Sequence, residues 1–78
     1  MFFKKKKSAH VAASRAARRA QSLSTPELLG WLDTTAMTLG AQVDVFRRSP
    51  SKATAHEVSS GAEAFAALAQ ELAARQTD

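Results

Sequence analysis

Two histidines, His10 and His56, and seven carboxylates are the main groups this chain offers for acid–base or metal chemistry, since it contains neither cysteine nor tyrosine. His56 adjoins Glu57, but adjacent residues on a helix do not face each other, so the two form no acid–base dyad. A metal site needs three or four converging ligands, and neither histidine has a partner at ligand spacing. Asp33 and Asp44 fall on one helix face, yet at 1.5 Å per residue they stand about 16 Å apart, too far to act on one bond. No glycine-rich loop opens a helix to cradle a phosphate. The pattern predicts a chain that is not an enzyme and takes no cofactor, metal or small-molecule substrate.

The charged side chains are more informative. The first 26 residues carry seven basic residues and no acid; the remainder carries four basic against seven acidic, and the net charge is +4. Lys4, Lys5, Lys6, Lys7, Arg15, Arg18 and Arg19 are therefore the candidate polyanion-binding residues. Lys and Arg without intervening acid neutralise phosphates non-specifically, which makes nucleic acid the first expected partner. Aromatic residues in this stretch are confined to Phe2 and Phe3, so there is no ladder on which single-stranded bases could stack. Phe2 and Phe3 ahead of four lysines also fit an anionic membrane surface, where each lysine contributes about 1 kcal/mol.

Positioning these groups falls to a small frame. At 78 residues there is one domain at most, and cores of roughly this size supply only a few kcal/mol without a disulfide, metal or partner. With cysteine absent, the missing support points to a partner surface, either a second copy or another helical protein. No stretch approaches the roughly 18–20 apolar residues of a membrane span. Residues 1–25 have the Arg, Lys, Ser and Ala composition of an organellar transit peptide, but the lysine run and weak hydrophobic face count against one. The expected location is cytoplasmic, with peripheral membrane association or organellar targeting as alternatives.

The fold expected is all-α. Residues 1–23 form a basic N-terminal arm, disordered over the lysine run and conditionally helical over residues 8–22, which are rich in alanine and arginine. Residues 24–76 form an antiparallel helical hairpin, with helices at about 25–48 and 52–75. Ser24 with Glu27 has capping-box spacing and Leu23 with Leu28 the staple spacing; Thr25 as cap with Pro26 first in the helix is the alternative. Ser49-Pro50 ends the helix. The second helix starts near residues 51–54, with Thr54 and Glu57 as another capping box, or earlier from Ser49.

In the first helix Leu29, Leu32, Ala36, Leu39, Val43 and Phe46 are spaced 3, 4, 3, 4, 3; in the second Ala55, Val58, Ala62, Phe65, Ala69 and Leu72 repeat that spacing. Both are sustained a/d patterns. Leu28, Trp31 and Leu68 widen the arcs beyond a narrow seam, and broad arcs contact more than one neighbour. Leu28, Trp31, Leu32, Leu39, Val43, Phe46, Val58, Phe65, Leu68 and Leu72 are thus the expected partner or dimer interface. The function predicted is a helical interaction protein whose hairpin self-associates or docks on a partner and whose arm binds a polyanion. The alternative is an adaptor subunit of a larger complex, held at an anionic membrane through Phe2, Phe3 and the lysines.

Overall fold

The computed structural model describes residues 15–76. They are all helix and short turns: α1 at 15–21, α2 at Thr25–Arg48 and α3 at Lys52–Ala74, with no strand among the described residues. The turn at residues 49–51 folds α3 back along α2 as an antiparallel hairpin. The expected disorder of the lysine run and the first half of the arm's helix lie outside the described residues.

Each helix start is set by local chemistry. Ser24 caps α2: its Oγ accepts from the Glu27 N–H at 3.3 Å, and the Ser24 N–H donates to Glu27 Oε1 at 2.9 Å. That reciprocal pair satisfies two backbone donors which a Thr25 cap would leave to water. The start of α3 lies one turn before the Thr54 box. Ser51 is its cap, with Ser51 Oγ accepting from the Thr54 N–H and Thr54 Oγ1 accepting from the Ser51 N–H, both at 3.0 Å. Thr54 is thus the third residue of the helix rather than its cap. Pro50 precedes the cap, where its missing N–H costs nothing. At the end of α2, Arg47 and Arg48 lie in the last turn, where positive charge suits the helix dipole, and Arg48 pairs with Asp44 at 2.7 Å.

The core is small and needs all three helices. Ala20 of α1, Leu28 of α2 and Leu68 of α3 are buried, with Leu23, Leu32 and Leu72 packed around them. This departs from the seam spacing in one respect. Leu28 is 0% exposed and its neighbour Leu29 is 52% exposed, so α2 is rotated to centre on Leu28, Thr35 and Gln42 rather than on Leu29, Ala36 and Val43. The cause is α1. Ala20 and Leu23 cover Leu28, and a helix can turn only one stripe of a broad apolar arc fully inward.

Close approach at the middle of the hairpin depends on one glycine. A Cβ on Gly61 of α3 would overlap Gln42 Oε1 and lie 3.3 Å from Leu39 Cδ1 of α2. Gln42 Oε1 is itself buried without a hydrogen-bond partner. Gly30 and Gly40, by contrast, face open space.

Candidate functional site

Alanine and arginine favour a helix at 15–21, but a segment this short does not stand alone in water. It is stabilised by docking on the hairpin. Ala20 is 1% exposed against the core, and Ala16 and Ala17 are half-buried. The same periodicity leaves Arg15, Arg18 and Arg19 exposed, so α1 carries a basic ridge, with Arg19 bordering the cleft between α1 and the hairpin.

A cation at the far end of the chain anchors this helix. Arg75, the C-cap of α3, donates from Nη2 to the Leu23 carbonyl at 2.7 Å and, at 3.4 Å, to the carbonyls of Ala20 and Gln21. Its Nη1 donates to Thr25 Oγ1 at 3.0 Å, and its Nε donates to Glu71 Oε2 at 2.9 Å. The last carbonyls of a helix lack intrahelical partners, and cations near them are favoured. One guanidinium fork therefore ties the end of α1, the start of α2 and the end of α3 together. The i, i+4 spacing to Glu71 was the only sequence signal for this role. The other partners lie 50 to 55 residues away in the chain.

Between α1 and the hairpin lies an open cleft of about 270 Å³, lined by Ala16, Arg19, Ala20, Leu23, Trp31, Thr35, Ala64, Ala67 and Leu68. Trp31, at 53% exposed, forms its wall rather than core. Beyond this cleft the two flanks of the hairpin differ. Trp31 and Thr35 of α2 and Ala64 and Ala67 of α3 mark the flank that α1 covers. At 3.6 residues per turn, Leu29, Ala36 and Val43 lie on the other side of Leu28 and Leu39, and Ala55, Ala62 and Ala69 on the other side of Leu68. This second flank is open: Leu29 and Val43 are exposed large apolar residues, as is Phe46 at its end, and Ala36, Ala55 and Ala62 are exposed.

The residues expected from sequence divide accordingly. Leu28 and Leu68 are buried inside the three-helix junction. Leu32, Leu39, Val58, Phe65 and Leu72 are half-buried between the helices, at the root of the open flank. Val43 and Phe46 stand exposed on it, and Trp31 lies across the hairpin in the α1 cleft. Arg15, Arg18 and Arg19 are together on α1, and Lys4, Lys5, Lys6 and Lys7 lie outside the described residues. Met37 and Val45 are exposed, away from both stripes.

Ser24, Glu27, Ser51 and Thr54 serve as caps of the hairpin's helices. The hydrogen bonds from the Ser24 backbone and hydroxyl hold the Glu27 carboxyl below its ordinary value of 4.5. His56 is exposed. Among the described residues no three His, Asp or Glu side chains are grouped to hold a metal ion, and no helix is long and apolar enough to cross a membrane. Comparison of the chain with protein-family models, curated proteins and solved structures finds no match.

Proposed function

We propose that this chain is a non-enzymatic interaction protein: its basic N-terminal segment binds a polyanion, nucleic acid, and its helical hairpin assembles with a helical partner through the flank that α1 leaves open. The observation that carries the nucleic-acid reading is the ridge of Arg15, Arg18 and Arg19, exposed on a helix clamped to the hairpin. The ridge continues, in sequence, the acid-free stretch that holds the four lysines. A docked helix presents its cations without the ordering cost that a free tail bears on binding. The proposed contacts are from Lys and Arg to phosphates, so binding is expected to be electrostatic and indifferent to sequence.

The test is the salt dependence of binding to a short DNA duplex. Neutralising seven phosphates gives a slope of log K against log salt of roughly −6. Replacing Arg15, Arg18 and Arg19 with Gln should reduce that slope in magnitude by roughly 3. A flat salt response overturns the reading, as does binding to anionic vesicles without binding to duplex.

A further inference from the structure

The open flank has a geometry that selects its occupant. We infer that it is covered by a second copy of this chain, in a two-fold arrangement with the hairpins face to face and their loop ends pointing in opposite directions. This rests on the assembly half of the function proposed above and goes beyond it in naming the partner and its orientation.

Two observations lead there. The first is register. An antiparallel copy of α2 pairs a residue with one equidistant from a central point. With that point midway between Met37 and Thr38, Leu29 meets the partner's Phe46, Leu32 meets the partner's Val43, and Ala36 meets the partner's Leu39. On α3 the corresponding point is midway between Glu63 and Ala64. There every pair joins an alanine to a large residue, Ala62 to the partner's Phe65 among them, and such small–large layers interdigitate. The two central points also lie at one level of the hairpin. Gly61 sits against Leu39 and Gln42, and stepping from that contact in opposite directions along the two helices brings both points level to within about 1 Å. A single two-fold axis therefore passes through both, as an isologous interface requires.

The second is area. A face about 36 Å long and two helix rows, about 18 Å, wide offers roughly 650 Å² per copy, or 1,300 Å² in total, within the range of stable specific interfaces.

The full chain is tested at tens of micromolar by native mass, with Leu29→Asp as the disrupting variant, because Leu29 is 52% exposed in the single chain. The wild type should be dimeric. Leu29→Asp should keep its helicity by circular dichroism and weaken association at least about 100-fold, through an unpaired charge buried at the interface. Orientation is read from a spin label on Lys52→Cys, the chain having no other cysteine. Opposed loop ends give a distance of about 35 Å between labels, and loop ends together give less than about 25 Å. A wild type that stays monomeric, a dimer unaffected by Leu29→Asp, or a label distance below about 25 Å overturns the inference. Duplex binding by the Leu29→Asp variant is measured in parallel. If it persists without any dimer in the wild type, the inference fails while the nucleic-acid reading stands.

Discussion

Replacing Arg75 with Met keeps the aliphatic stem and removes the guanidinium fork that holds α1. The lost contacts are the 2.7 Å bond to the Leu23 carbonyl, the 3.0 Å bond to Thr25 Oγ1 and the 2.9 Å pair with Glu71. A bond from a charged donor contributes about 1.5–3 kcal/mol when well buried. The Arg75 side chain is 23% exposed, so water replaces part of each, and about 2 kcal/mol in all is a reasonable sum. The bonds to the Leu23, Ala20 and Gln21 carbonyls carry most of that loss to the docking of α1, while the Thr25 bond links the end of α3 to the start of α2. The loss corresponds to a roughly 30-fold rise in the undocked population. Amide hydrogen exchange reads this directly: the amides of residues 19–23 should exchange about 30-fold faster, while those in the middle of α3 change little. Glu71→Gln should have a smaller effect, because the Leu23 and Thr25 contacts survive it. Arg75→Lys should resemble Arg75→Met, since an ammonium lacks the fork that reaches three partners. Less than a threefold change at residues 19–23 in Arg75→Met would refute the reasoning, and so would uniform loss of protection across α3.

Three further outcomes follow from named contacts. Gly30 faces open space, so Gly30→Ala should raise unfolding stability by about 1 kcal/mol in a denaturant titration; a loss would mean that the position packs. Gly61→Ala should gain less than that, because Gln42 must move and Leu39 must yield slightly, and part of the gain of about 1 kcal/mol should return in a Gln42→Ala background, where only the Leu39 contact is left. The Glu27 carboxyl is held below 4.5, so its ionised form binds the cap better than its protonated form does. Its contribution is then complete above 4.5 and is lost as pH falls through the lower folded value. The stability difference between wild type and Glu27→Gln should accordingly be constant near neutrality and shrink below pH 4.5; a difference that grows on acidification would contradict the capping geometry.

What could be read from the chain was local. The box of Ser24 and Glu27, the break at Ser49-Pro50 and the Asp44–Arg48 pair each involve residues within one turn, and each is present. The start of α3 was ambiguous because Ser49, Ser51 and Thr54 are all competent caps; backbone geometry favours Ser51, with Thr54 returning its hydrogen bond. The seam spacing found both apolar arcs but not their rotation. Leu28 and Leu29 are adjacent and identical in type, and only the docking of Ala20 and Leu23 makes the first core and the second surface. The arm's helix reads from sequence as conditional on a binding partner, and over 15–21 that partner is the hairpin itself. The Arg75 clamp was beyond reach for a different reason. It joins three segments across more than 50 residues, and no periodicity records such a contact.

The proposed function and assembly place two separable surfaces on one hairpin, a basic ridge on α1 and, on the other flank, an apolar face that takes a second copy. Sedimentation equilibrium of the full chain, alone and with a short DNA duplex at low salt, tests both at once. The expected result is twice the 8.3 kDa chain mass without duplex, and a heavier species containing two chains and the duplex when it is added. A mass of 8.3 kDa in both conditions would contradict it.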